Sequence, residues 1–236
     1  MDLEGKVAYI TGGTKGIGLG IAQCLLKEGM KVAVSGRSQD GVDNAISILE
    51  PLGDILGIVA NVVELQSEHN AAATILKQWC QLDLVVANAG VGHFAPIYEL
   101  EPEKWQQMID TNLTGAFNTL RASFEGLKAS KGYYMTIASL AGTNFFAQGA
   151  GYNATKFGVV GFTQAAMLDL RKHDIKVTTI MPGSVATYFN DNVPSDKDAW
   201  KIQAEDIGKL VVDLMHMHPR TLPSKIEVRP TRPDLK

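Results

Sequence analysis

The segment Thr11-Gly12-Gly13-Thr14-Lys15-Gly16-Ile17-Gly18 stands directly between an apolar run, Val7 to Ile10, and a stretch in which Ile17, Ile21 and Leu25 recur every four residues before Gly29. A short apolar run, glycines and then a four-residue period read as strand, tight turn and helix, with Gly29 as the helix stop. Glycines let the backbone turn sharply and approach a pyrophosphate, whose charge is favoured by the free amides and positive dipole end of the helix. Gly12, Gly16 and Gly18 are the key positions. A glycine-rich turn without a ligand carries the same letters, so placement between strand and helix gives the motif its weight. No Gly-Lys-Ser/Thr triplet follows, which excludes a P-loop.

Further apolar runs recur at Val32 to Val34, Ile55 to Ala60, Leu82 to Ala87, Tyr133 to Ala138 and Ile175 to Met181. Most lack alternation of apolar with polar residues, which predicts strands buried on both faces of a parallel sheet. Helical patterns lie between them: Ala45, Ile46 and Leu49 before Pro51, then Ala72, Ile75, Leu76 and Trp79. The strongest is a stripe of Trp105, Met108, Ile109, Leu113, Ala116, Phe117, Leu120, Phe124 and Leu127, opened by Pro102. Another starts at Tyr152 and runs through Phe157, Val160 and Leu168; a last helix spans about Ala204 to His216, before a short run at Ile226 and Val228. Strict alternation implies right-handed crossovers and an α/β fold, a doubly wound, mostly parallel sheet flanked by helices of the Rossmann type. No repeat or linker marks a boundary, so residues 1–236 read as a single domain with a polar substrate loop at about 183–203.

Composition removes several function classes. The 22 Lys+Arg and 25 Asp+Glu give a net charge of −3 without a block of one sign, which supports neither a nucleic-acid footprint nor a membrane anchor. No apolar stretch approaches the roughly 18 residues of a membrane span, and the acidic start, Met1 to Glu4, lacks the form of a signal peptide. Cys24 and Cys80 stand far apart with no C-x-x-C, so neither disulfide nor metal is expected and a cytoplasmic location is the default.

A dinucleotide site states its preference near the end of the second strand, where an acid binds a ribose 2′-hydroxyl and an arginine accommodates a 2′-phosphate. Here the letters are Val34-Ser35-Gly36-Arg37-Ser38, with an arginine and no acid. Guanidinium binds phosphate through two charge-assisted hydrogen bonds, so NADP(H) is expected, with Lys15, Thr14 and Ser38 as further contacts; solvated loop cations would look the same. Tyr152 and Lys156, four apart, share a helix face. The ammonium is expected to lower the phenol's pKa and let the pair exchange a proton with an alcohol or carbonyl oxygen, although an exposed aromatic beside a solvated lysine is a common pattern. Ser139 follows the fifth strand, at the sheet edge where such folds bind ligands, and can steady charge on a substrate oxygen or be a plain turn serine. Asn112 falls on the buried helical stripe, where its amide must be hydrogen-bonded to backbone or to a buried polar site.

Together these motifs resemble the short-chain dehydrogenase/reductase family, in its single-domain branch of about this length, over nearly the whole chain. Thr11-Gly12-x-x-x-Gly16-x-Gly18, Asn88-Ala89-Gly90 and Pro182-Gly183-x-Val185-x-Thr187 match its cofactor segments, and Asn112, Ser139, Tyr152 and Lys156 its tetrad. The resemblance implies that Tyr152 is the general acid of carbonyl reduction, that Ser139 positions the carbonyl and that Lys156 grips the nicotinamide ribose while biasing Tyr152. Asn112 would hold a water linking Lys156 to solvent. Asn61 and Val62 fall at the adenine, where the family often has Asp in place of Asn61. Members commonly form homodimers or homotetramers through the helices Pro102 to Ser130 and Tyr152 to Lys172, with Phe162 and Met167 as an apolar patch if they face outward.

Candidate pocket residues are His93, Phe94, Leu140, Phe145, Phe146, Tyr188 and Phe189, with Lys197 and Lys201 the only cations nearby. Such a lining suits a neutral, hydrophobic ketone, aldehyde or secondary alcohol, although rings in these positions can equally belong to the core. The runner-up is a 3-oxoacyl carrier-protein reductase, whose members usually carry Asn where Gly151 stands. A sensor or scaffold that binds NADP without turnover is the alternative of another class, and the intact tetrad argues against it.

Overall fold

The structure is a computed structural model that describes residues 2–232. Strand β1 (Val7–Thr11) is buried throughout and sits near the middle of the sheet. Its two sides explain why its sequence does not alternate. Ala8 and Ile10 join a core with α1 (Gly16–Lys27), α2 (Gln39–Leu49) and α7 (Ala204–His216). Val7 and Tyr9 join another with α3 (Leu65–Trp79), α5 (Gly115–Ser130) and α6 (Ala150–Leu170). Burial on both faces is what a parallel sheet covered by helices requires.

Seven parallel strands run in the order β3-β2-β1-β4-β5-β6-β7, with β2 at Lys31–Gly36, β3 at Ile55–Val59, β4 at Leu84–Ala87, β5 at Tyr133–Ile137, β6 at Lys176–Pro182 and β7 at Lys225–Val228. The chain winds outward from β1 to β3 and then returns to the other side of β1 at β4, so the carboxyl ends of β1 and β4 form the switch point where open α/β sheets bind ligands. Strand β4 starts later than the apolar run suggests, because the buried Asp83 carboxylate accepts the Val7 amide at 2.8 Å.

Two helical expectations are corrected. The long stripe from Pro102 is not one α-helix: α4 (Pro102–Met108) passes into a π-helical segment, Ile109–Thr114, before α5. The wider turn changes which residues of α5 face the core: Ala116, Leu120 and Leu127 are buried and Phe117 is exposed, while on α4 Met108 is buried and Trp105 exposed. On α6, Phe157 and Leu168 face outward; Lys156, Val159, Thr163, Ala166 and Met167 turn inward. Met167 is therefore core rather than patch, and Phe162 is partly buried against the same core. The 183–203 loop is less free than its polarity suggests: Val185 bridges Ile202, and Phe189–Asp191 and Asp196–Asp198 form short 3-10 turns.

Candidate active site

A cavity of about 1180 Å³ opens at the carboxyl ends of the strands, across the switch point. The glycine turn forms one wall. Gly12 and Gly16 adopt φ of +62° and +57°, a left-handed backbone that disfavours side chains. A Cβ on Gly12 would stand 2.9 Å from the Ala89 Cα, and one on Gly18 would stand 2.6 Å from the Asn88 amide nitrogen. That nitrogen donates to the Thr11 and Gly12 carbonyls at 2.9 and 3.0 Å, while the Thr11 hydroxyl accepts the Asn88 and Ala89 backbone amides. The two loops are thus stitched together, and Gly18 lies beneath the turn instead of lining the cavity. Helix α1 has no side-chain cap and no acid in its first turn, so its amides and dipole face the cavity without a competing anion.

Thr14, Lys15, Gly16 and Ile17 line this end together with Arg37 and Ser38. A Cβ on Gly36 would come within 2.6 Å of the Thr14 methyl, which shows how closely the end of β2 approaches the turn. Arg37 and Lys15 are both exposed there. Asn61, Val62, Asn88, Ala89 and Gly90 continue the lining, as do Pro182, Gly183, Val185 and Thr187 opposite. The Asn61 amide also serves a local turn, donating to Glu64 and accepting from the Val63 backbone.

Ser139, Tyr152 and Lys156 meet at the other end. The Lys156 ammonium donates to the Ile137 carbonyl at 3.0 Å and lies 5.6 Å from the Tyr152 ring centre. Burial pulls its pKa down to about 8, since the charged form is desolvated. Burial likewise pushes the Tyr152 phenol up to about 12, partly offset by its hydrogen bond with Ser139. The expected lowering by Lys156 is not what the site shows: burial sets the direction, the lowering comes from Ser139, and the phenol is held neutral. Phe94 and Phe189 flank the Tyr152 ring with centroids 5.4 and 5.6 Å away.

Asn112, in the π-helical segment, does not line the cavity, although Thr111 does. Its oxygen accepts the Val91 amide at 2.8 Å, and its nitrogen donates to the Val91 carbonyl and the Thr155 hydroxyl at 2.9 and 3.0 Å. Both of its donors are engaged, so the side chain ties the loop after β4 to α6 and has no N–H for a bound water. Two other expected contacts also fall elsewhere: His93 lies 2.8 Å from the Gln107 amide oxygen, and Phe145 is exposed and stacks on Phe157. Neither lines the cavity, whereas Leu140, Phe146 and Tyr188 do. Sequence reading missed Asn144, Trp200, Arg229 and Pro230. The last two follow β7, and only its pairing with β6 brings Pro230 to 3.2 Å from where a Gly183 Cβ would stand. Among the described residues, no cluster of His, Cys, Asp or Glu is placed to hold a metal, and no helix is long and apolar enough to cross a membrane.

Comparison with known proteins agrees with this geometry. A family model described as short chain dehydrogenase matches residues 6–198. The 3-oxoacyl-(acyl-carrier-protein) reductase of Vibrio harveyi is 31% identical over 212 residues, 89% of this chain and 86% of that one. Among solved structures, an alcohol dehydrogenase from the archaeon Thermococcus sibiricus complexed with 5-hydroxy-NADP gives a TM-score of 0.91 at 28% identity, covering 98% of this chain and 100% of that one. A 3-ketoacyl-(acyl-carrier-protein) reductase from Brucella melitensis complexed with NADH gives 0.88 at 25%, covering 98% and 99%. Glycine turn, sheet order and family match together identify the chain as an oxidoreductase of the short chain dehydrogenase family.

Proposed function

We propose that the protein is an NADP(H)-dependent carbonyl reductase acting on a neutral, hydrophobic ketone or aldehyde, or on the matching secondary alcohol. The observation that carries this reading is one continuous cavity with exposed Arg37 and Lys15 at one end and Ser139, Tyr152 and Lys156 at the other. The cradle fits a dinucleotide, because Cβ atoms at Gly12 and Gly18 would fill or break it and because the α1 N-terminus faces it. In this assignment the glycine turn with Thr14, Lys15 and Ile17 holds the pyrophosphate side, and Arg37 and Ser38 hold a 2′-phosphate. Asn61 and Val62 bound the adenine, while Asn88, Ala89, Gly90, Pro182, Gly183, Val185 and Thr187 bound the nicotinamide half. When bound, the nicotinamide supplies or takes up the hydride.

The chain's own residues do the rest. Ser139 donates to the substrate oxygen and holds it beside Tyr152. Tyr152, neutral well above physiological pH, delivers the proton that the oxygen needs on reduction. Lys156 holds the cofactor ribose and, as an ammonium, favours the phenolate left behind. Phe94, Leu140, Phe146, Tyr188 and Phe189 keep water from the carbonyl and set a preference for apolar substituents.

A second reading, reduction of a 3-oxoacyl group on a carrier protein, is favoured by the likeness to the Vibrio harveyi reductase; Lys201 and Arg229 on the cavity wall lend it little, since they pair with Asp198 at 2.6 Å and Glu227 at 2.9 Å. Against it stands Gly151, where reductases of that kind usually carry Asn. Self-association belongs to the same proposal: Phe117 on α5 and Phe157 and Leu168 on α6 are exposed on neighbouring helices joined by the Phe117–Phe162 contact.

An NADPH oxidation assay across hydrophobic ketones and aldehydes tests the assignment, with turnover expected and none, despite tight NADPH binding, contradicting it. Arg37→Asp should reverse the cofactor preference from NADPH to NADH; a parent enzyme that already prefers NADH removes Arg37 from this role. Because kcat/KM for the cofactor reports the free enzyme, it should decline above about pH 8, as Lys156 loses its proton. A level profile to pH 10 would contradict the role given to Lys156. Light scattering should show a dimer or tetramer, and a monomer at every concentration would remove the proposed interface.

A further inference from the structure

Asn153 follows Tyr152 on α6, yet its side chain points into protein rather than into the cavity, and it is buried. Its amide nitrogen donates two hydrogen bonds of 2.7 Å, one to the Ala141 carbonyl and one to the Asn144 carbonyl. Both acceptors lie in the segment that leaves β5 through Ser139. The Ser139 hydroxyl accepts the Ala141 amide at 3.1 Å, so Ala141 alone links the Asn153 clamp to that hydroxyl. The clamp has a close-packed frame. A Cβ on Gly142 would stand 2.8 Å from the Lys156 carbonyl, and one on Gly149 would stand 2.5 Å from the Phe146 ring and 2.6 Å from the Asn153 oxygen. Ser139, Asn144 and Phe146, all lining the cavity, are thereby seated on the helix that carries Tyr152 and Lys156.

The Asn153 oxygen has no hydrogen-bond partner. A buried, unpartnered oxygen destabilises a fold, which offsets part of what the two donated bonds contribute. Losing the side chain leaves the Ala141 and Asn144 carbonyls without that donor, so it costs stability as well as freeing residues 139–146.

We propose that Asn153 is a positioning residue for the reaction: by clamping the Ala141 and Asn144 carbonyls it fixes the Ser139 hydroxyl and the Phe146 wall relative to Tyr152. The inference rests on the carbonyl-reductase reading for its kinetic consequence, but the clamp itself is testable without turnover. Asn153→Ala removes both donors; Asn153→Ser retains one hydroxyl donor on a shorter arm and covers the case in which the alanine variant fails to fold. Hydrogen-exchange mass spectrometry of peptides covering residues 139–149 should show faster exchange in the order parent, Ser, Ala, with the α1 and α7 peptides unchanged. In steady state, kcat should fall by up to about 10²-fold, the cost of a misplaced reacting group, with cofactor KM nearly unchanged; the melting temperature falls in both variants, but kcat should follow local exchange across them. Exchange in 139–149 that matches the parent in the Ser variant, or a kcat that follows melting temperature and not local exchange, overturns the proposal. If local exchange rises as expected while the parent reduces no carbonyl, the clamp stands and the carbonyl-reductase reading is what fails.

Discussion

Lys156 is an ammonium placed inside the protein with a backbone carbonyl, that of Ile137, as its hydrogen-bond acceptor. Among the described residues it makes no salt bridge, so the cost of desolvation shows directly as a pKa drawn down to about 8. A lone buried cation of this kind destabilises the chain by itself, and the surrounding structure has to impose it. Strand β5 supplies the acceptor, α6 fixes the side chain, and Gly142 lets the turn after Ser139 lie against the Lys156 backbone. The same enclosure keeps Tyr152 protonated. The two groups are displaced in opposite directions by one cause, which favours the neutral form of each and leaves Tyr152 as a proton donor waiting on a developing alkoxide.

That end of the cavity is joined to the glycine turn by a set of side-chain amides that bind protein. Asn88 stitches β4 to the turn after β1, Asn112 stitches the next loop to α6, and Asn153 stitches the Ser139 segment to the same helix. Each replaces a regular backbone pairing that the loops at the sheet edge lack. The segments leaving β1, β4 and β5 are held to one geometry in this way.

The fold was legible because two signals agree along the chain: non-alternating apolar runs for strands covered on both faces, and a glycine turn whose position between strand and helix fixes its use. The cavity lining from Gly12, Arg37, Asn88 and Ser139 was legible for a related reason, since each lies at or soon after a strand end and the sheet brings strand ends together, whereas Tyr152 and Lys156 were legible from their four-residue spacing at the start of α6. Less was readable where three-dimensional packing decides. A π turn at Asn112 leaves almost no mark on periodicity until it has shifted Phe117 outward. His93 and Phe145 occupy plausible loops, but neighbours local to them, Gln107 and Phe157, capture their side chains. The direction of the Tyr152 shift depends on burial, which four-residue spacing does not reveal. Arg229 and Pro230 reach the cavity only through the pairing of β7 with β6.

The proposed chemistry requires Tyr152 to act through its hydroxyl and not through its ring. Tyr152→Phe keeps the ring between Phe94 and Phe189 and removes only the proton donor. Single-turnover oxidation of NADPH with a ketone that the parent reduces, beside a fluorescence titration of NADPH, separates the two roles. A proton-donor role predicts a turnover rate lower by about 10²–10⁴-fold with cofactor affinity retained, and a rate within about threefold of the parent would contradict it.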